Sequence, residues 1–205
     1  VYNGQTLGIA GFSGGGKSTL MLHMLENAAI NYLTNDRLFI KSAGATTQAT
    51  GIPKLPRINP GTIVHNRRLH SMIPVEQRES LLALPQNELW ELEEKYDVMI
   101  DELYGQDRIT TAAPLAAFLI LNWQRDYDQS LKLQRVDLDE RRDLLAAIMK
   151  SPGPFYKYSD CDFFMDDTPL DERPYLDTLK SIAVYEASGG IDFDAIVQRF
   201  DVLVG

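Results

Sequence analysis

The segment Gly11-Phe12-Ser13-Gly14-Gly15-Gly16-Lys17-Ser18 is where residue type and spacing first suggest chemistry. Glycines let a backbone curl until consecutive N–H groups point inward, and such a curl grips phosphate oxygens. A following helix adds the positive end of its dipole. A lysine closing the curl reaches the β- and γ-phosphates, and the hydroxyl after it ligates magnesium. Gly11, Gly16, Lys17 and Ser18 fill the fixed positions of this phosphate-loop (P-loop) pattern. Composition alone produces it in about one chain in a hundred of this length. The apolar segment before it and the helical spacing after it make a chance match rarer still. ATP and Mg2+ are therefore the expected ligands, contacted by Gly11, Ser13, Gly14, Gly15, Gly16, Lys17, Ser18 and Thr19.

Phosphoryl transfer also calls for an acid near the phosphates. Asp36 follows Lys17 by nineteen residues, after a single helix. A strand leaving that helix brings the carboxylate beside the phosphates. There it shares magnesium with Ser18 through water, or takes a proton from an attacking hydroxyl. Lys17 and Asp36 are thus the catalytic candidates, and Ser18 and Asp36 the metal candidates. The alternative for Asp36 is a solvated side chain that caps a turn.

Other residues have plainer roles beside their chemical ones. Lys54 and Arg57 sit in a proline-stiffened loop, where they either close over a phosphorylated group or are solvated. Arg67 and Arg68 carry a weaker version of the same signal. Asp101-Glu102 after Val98-Met99-Ile100 imitates the acidic end of a magnesium-handling strand, although its surroundings have helical spacing. His23, His65 and His70 lack the i, i+4 pairing of a helical metal site, and Cys161 stands alone, so zinc is not expected. The acidic run Asp160, Asp162, Asp166, Asp167, Asp171 and Glu172 lacks the glycine turn and ligand spacing of a calcium loop. Its plain meaning is a solvated loop pinned by Phe163-Phe164-Met165.

The elements that must position these groups follow from periodicity. Thr6 to Ala10 is a short buried strand entering the glycine turn. Leu20, Met21, Met24, Leu25 and Ala28 recur at helical spacing, so a helix runs to about residues 27–30. Residues 32–34 and 37–40 are strand-like around Asn35-Asp36. From Ser42 to Pro60, Gly44, Gly51, Pro53, Pro56 and Pro60 preclude a long helix. Pro74 to Tyr96 is helical with a break at Pro85. Leu115 to Trp123 is the best interior strand. Leu138 to Lys150 is an amphipathic helix closed by Pro152-Gly153-Pro154. Ala183 to Glu186 is a last strand, followed by a helix over Phe193 to Phe200. The expectation is a single α/β domain across residues 1–205.

Bulk properties narrow the partners. The chain has 29 acidic and 20 basic residues and a net charge of −9, so nucleic acid is not an expected partner. The longest apolar stretch, Ala112 to Leu121, contains Pro114 and is too short to span a bilayer. One cysteine allows no intrachain disulfide, which fits a reducing cytoplasm. The chain enters a strand almost at once, which suggests a missing upstream part.

Gly-x-Ser-Gly-x-Gly-Lys-Ser-Thr followed by Asn35-Asp36-Arg37 after one short helix resembles the HPr kinase family. The match is nearer to its HprK-related kinase B branch, whose members carry a segment similar to Gly51-Ile52-Pro53-Lys54-Leu55-Pro56-Arg57-Ile58-Asn59-Pro60-Gly61. The resemblance implies a P-loop nucleotide core of the HPr kinase and phosphoenolpyruvate carboxykinase type, with a mixed central sheet flanked by helices. It implies Lys17 on the phosphates, Ser18 on magnesium and Asp36 at the second acidic position. Two departures matter. Asn35 stands where HPr kinases have the first of two aspartates, and their Glu-Ile-Arg-Gly-Leu-Gly segment has no counterpart. The implied activity is an ATP-dependent kinase acting on a hydroxyl of a protein or small molecule. A regulatory nucleotide-binding module or slow ATPase, and a metabolite kinase of the shikimate-kinase type, stay open beside it. The family also implies a homo-oligomer, and the branch an ATP-grasp enzyme as partner.

Overall fold

The computed structural model describes residues 1–44, 46–52, 54–124, 129–157, 163–164 and 169–204. Strand β1 (Thr6–Gly11) runs into the glycine-rich turn and helix α1 (Lys17–Met24). Next come β2 (Leu38–Ala43), β3 (Thr46–Gly51) and the short β4 (Arg57–Ile58). Helix α2 (Pro60–His65), a 3-10 turn (Arg67–Met72), α3 (Val75–Leu82) and α4 (Gln86–Glu91) lead to β5 (Tyr96–Asp97) and α5 (Ile100–Leu103). The long β6 (Ala112–Trp123) precedes β7 (Lys132–Arg135), α6 (Arg142–Ile148), a 3-10 turn (Gly153–Phe155) and α7 (Glu172–Leu179). Last are β8 (Ala183–Gly189), α8 (Phe193–Gln198) and α9 (Phe200–Val204).

Strand β6 organises the sheet because both of its faces are covered. Ala117 to Leu121 are all buried, the pattern of a strand sandwiched between layers. Successive side chains point to opposite faces. Leu119 and Leu121 join a core with Leu20, Leu22 and Leu25 of the α1 region and Ile196 and Phe200 near the C-terminus. Phe118 and Ile120 join a second core with Leu144, Leu145 and Leu179. Each such side chain contributes roughly 1.5–3 kcal/mol through burial.

Strands β1 and β8 flank β6 in parallel, β7 continues antiparallel to β8, and β3 pairs antiparallel with the first residues of β6. The sheet is therefore mixed, with helices packed on it. The carboxyl ends of β1, β6 and β8 lie together, the usual place for a ligand in such sheets. One buried acid lies within the sheet. Glu186 of β8 is 3% exposed and accepts hydrogen bonds from Arg141, Asn122 and Gln134. Burial works to raise its pKa, but those donors outweigh it and hold it below the ordinary value.

The structure refines several expectations. Residues 38–43 and 46–51 form a hairpin, with Leu38 opposite Gly51, in place of a merely turn-rich stretch. The helix foreseen from Leu138 starts at Arg142, because Asp137 accepts the Asp139 N–H at 2.8 Å and makes a turn there. Asp101 and Glu102 lie in the first turn of α5, so they do not end a magnesium-handling strand. Among the described residues, no helix is long and apolar enough to cross a membrane.

Candidate functional site

The glycine-rich turn spans the gap between β1 and α1. Gly11, Gly14 and Gly16 have φ of 151°, 74° and 80°, conformations that favour residues without a Cβ. Lys17 doubles back over the turn, and its Nζ donates to the carbonyls of Gly11 and Phe12, both at 2.8 Å. No side chain caps α1, and its first turn carries no acidic residue. That helix end is left with its positive character. Behind the turn, Trp123 Nε1 donates to Gly15 O at 3.0 Å. Phe193 stands edge-on to Trp123 at 5.2 Å, and its ring tip would lie 3.2 Å from a Cβ on Gly16. The turn is thus held in shape from behind by two aromatic rings.

Asn35 and Asp36 are brought to the loop by a braced turn. Tyr32 is buried, and its hydroxyl donates to the Lys54 carbonyl. The Thr34 hydroxyl accepts the Ile52 N–H at 3.2 Å and lies 2.9 Å from Arg37 O. A Cβ on Gly51 would fall 2.2 Å from the Leu33 carbonyl oxygen, so only glycine lets these two backbones meet. The brace leaves Asp36 at φ 77°, a left-handed conformation that aspartate tolerates better than most residues.

Ser18 donates to Asn35 Oδ1 at 3.0 Å, so the hydroxyl expected on magnesium meets Asn35 in place of Asp36. Asp36 instead faces cations. Lys54 Nζ lies 3.0 Å from one carboxylate oxygen, Lys150 binds the other, and Arg37 approaches at 3.4 Å. Partial burial works to raise the Asp36 pKa. Hydrogen bonds and charge from Lys150 and Lys54 overcome it and hold the carboxyl at about 2. Lys17 is shifted down from its ordinary value by burial first, then by the charge of Lys150, with Asp36 opposing.

Two hollows meet at Lys17, which lines both. One, of about 980 Å³, is lined by Gly14 to Thr19 together with Arg57, Asn59, Trp90 and Lys95. The other, of about 610 Å³, lies toward Asn35, Asp36, Arg37 and Lys150. Both fall in the size range of small-molecule sites. Gly11 and Ser13 line the smaller hollow, while Thr19 lies within 2.8 Å of the Thr62 hydroxyl beside the larger one.

The remaining candidates separate from this centre, except His65, which lines the larger hollow. Arg68 pairs with Glu26 at 2.7 Å and lies over Tyr104, and neither it nor Arg67 lines the hollows. His23 contacts Asp194 at 2.7 Å, and His70 lies 3.2 Å from Val64 O. Asp171 caps α7 and Glu172 pairs with Arg142. Pro53, Asp160, Cys161, Asp162, Met165, Asp166 and Asp167 lie outside the described residues. Among the described residues, no three His, Cys, Asp or Glu side chains gather as a metal cage. The donors present are the Ser18 hydroxyl, the Asn35 carbonyl and one carboxylate. That set fits magnesium, which takes few protein oxygens and completes its shell with water and phosphate.

Lys150 and the Trp123–Phe193 pair escaped sequence reasoning. Lys150 follows an amphipathic helix, where a lysine is ordinary, and lies 114 positions from Asp36.

No family model and no curated protein matches the chain. Among solved structures it is similar to the HPr(Ser) kinase/phosphatase from Coxiella burnetii, at 11% identity and a TM-score of 0.44. The likeness covers 100% of this chain and 83% of that one. It is distant, and no residue role is carried over from it.

Proposed function

We propose that this chain binds ATP with magnesium at the glycine-rich turn and transfers the γ-phosphoryl group to a hydroxyl. The observation that carries this reading is the position of Lys17, between an uncapped glycine-lined helix end and the cation-flanked Asp36. Phosphates enter the larger hollow, where the backbone N–H groups of the α1 start replace water around their oxygens. Lys17 exchanges the Gly11 and Phe12 carbonyls for phosphate oxygens and neutralises charge that develops during transfer. Ser18, with Asn35 or Asp36 behind it, would hold magnesium, which would supply the second neutralising charge. In the smaller hollow, Asp36 accepts a hydrogen bond from the acceptor hydroxyl and aims it. The acceptor oxygen then bonds to phosphorus as the bond to the bridging oxygen breaks and its electron pair leaves on ADP. The hydroxyl proton becomes acidic as that bond forms, and passes to Asp36 and on to water.

A carboxylate held at about pKa 2 is a weak base. That favours orientation as its main task, and it also motivates a second reading in which the nucleotide is a regulatory ligand without transfer. The test follows [γ-32P]ATP with magnesium in a lysate, wild type beside Lys17→Ala. Label moving to another compound in a Lys17-dependent manner supports transfer. Removing the charged donor weakens binding of a fluorescent ATP analogue by at least about tenfold. Unchanged transfer and binding in Lys17→Ala would refute the assignment. Tight binding by wild type with label left on ATP favours the regulatory ligand.

A further inference from the structure

The cations around Asp36 exceed what the donor side requires. Lys54 and Lys150 hold opposite oxygens of its carboxylate, and Arg37 adds a third positive group. Among the described residues, one negative charge therefore faces three positive ones. Phosphates at the glycine-rich turn already have Lys17 and the α1 end to neutralise them. The chain as a whole is acidic, at −9, so this concentration runs against its background.

The cations are held from behind. Arg37 Nε donates to Ser151 O at 3.1 Å and its guanidinium lies 5.3 Å from the Phe155 ring centre. Tyr175 Oη donates to the Lys150 carbonyl at 3.1 Å, which fixes the backbone from which that side chain extends. The Lys54 carbonyl is held by Tyr32. Three separate segments thus converge on Asp36, which lines the 610 Å³ hollow together with Arg37, Lys150 and the apolar Leu33, Leu38, Ile40 and Met149.

On the reading that this chain is a phosphotransferase, we infer that its acceptor is a small anionic alcohol. It binds in the smaller hollow with its carboxylate or phosphate between Lys54, Lys150 and Arg37 and its hydroxyl toward Asp36. The incoming anion takes over part of the ion pairing that Lys54 and Lys150 now give to Asp36. The freed Asp36 oxygen then receives the hydroxyl. The transfer step is the one given above, and the product is a phosphoester that keeps the acceptor's own negative group.

The experiment incubates the chain with [γ-32P]ATP, magnesium and a protein-free metabolite extract, and in parallel with the protein fraction of the same cells. Labelled products are separated by anion exchange at pH 8 beside a glycerol 3-phosphate standard, the phosphoester of a neutral alcohol. The expected product is small and elutes after that standard, because it bears an additional anion. Repeating the separation near pH 2.5 identifies the anion, since a carboxylate largely loses its charge there and a phosphate keeps one. Lys150→Ala raises the extract concentration needed for half-maximal labelling at least tenfold. It leaves affinity for a fluorescent ATP analogue within twofold, and Lys150→Arg restores most of the labelling. Label on a protein, or on a product eluting with the standard, overturns the inference and leaves the transferase reading intact. Equal loss of nucleotide affinity in Lys150→Ala places that lysine on the donor side and also overturns it. Label that stays on ATP while the analogue binds overturns both.

Discussion

Gly51→Ala tests whether the turn bearing Asp36 is held by a backbone contact that only glycine permits. The added Cβ would lie 2.2 Å from Leu33 O, 2.9 Å from Leu33 C and 3.0 Å from Thr34 Cβ, against an ordinary contact of 3.4 Å or more. Two of these atoms are backbone, so no side-chain rotation relieves the clash. One chain must move by about 1 Å, a shift of the kind that overpacking imposes at about 1–3 kcal/mol. The motion also stretches the Thr34 contacts to Ile52 and Arg37, each worth about 1 kcal/mol. The sum is about 3–5 kcal/mol, or roughly 9–15 °C in Tm at about 3 °C per kcal/mol for a chain of this size. Asp36 lies two residues beyond Thr34, and a misplacement near 1 Å costs roughly a hundredfold in turnover. The glycine-rich turn is built by other segments, so affinity for an ATP analogue should stay within about twofold. Thermal unfolding, analogue binding and label transfer are measured on the same preparation. A variant with wild-type Tm and wild-type turnover would show that the Gly51 contact positions nothing.

Asp36→Asn keeps a residue type that accepts φ 77° while removing the charge. Turnover should fall at least a hundredfold with ATP-analogue binding retained, and normal label transfer would exclude Asp36 from the reaction. The folded Asp36 pKa of about 2 lies below the ordinary 3.8, so its ion pairs stabilise fully above that value and fade as pH falls toward 2. Screening reduces the effect to roughly 1 kcal/mol. The stability gap between wild type and Asp36→Asn should therefore close between pH 4 and 2, and a gap that widens there would contradict the ion pairing. Arg141→Ala leaves Glu186 buried with a lost partner and should destabilise by about 2–4 kcal/mol. Adding Glu186→Gln to that variant should recover part of the loss in urea unfolding, and additive losses would show that the pair is not coupled.

Much of the scaffold was legible because burial writes itself into sequence. An apolar run such as Leu115 to Trp123 has few alternatives to an interior strand, and β1 with its glycine turn is equally explicit. The β2–β3 hairpin was harder to see. Thr46 to Gly51 contains no large apolar residue, and only Thr47 and Ala49 face inward. Asp101-Glu102 stayed ambiguous because a short apolar run before two acids looks the same at a strand end and at the start of a brief helix. The loop half of the site was readable from adjacent residues. Its cationic half was legible only in part: Lys54 stood out in its proline-stiffened loop, but its pairing with Asp36, and Lys150 altogether, depend on tertiary packing across 18 and 114 positions. No local pattern encodes that meeting.

Phe193 and Trp123 wedge the glycine turn from behind, which sets a schedule for the protein's synthesis. The turn is translated before its backing, because the ring that abuts Gly16 comes from residue 193, some 177 positions later. A nascent chain still tethered short of α8 carries the whole glycine-rich sequence without its backing. Contacts of such sequence separation form late. On the nucleotide-binding reading, competence to hold a nucleotide should then appear abruptly once α8 has emerged, and not grow with the emerging strand. A ribosome-stalled series ending before and after α8 would display that step.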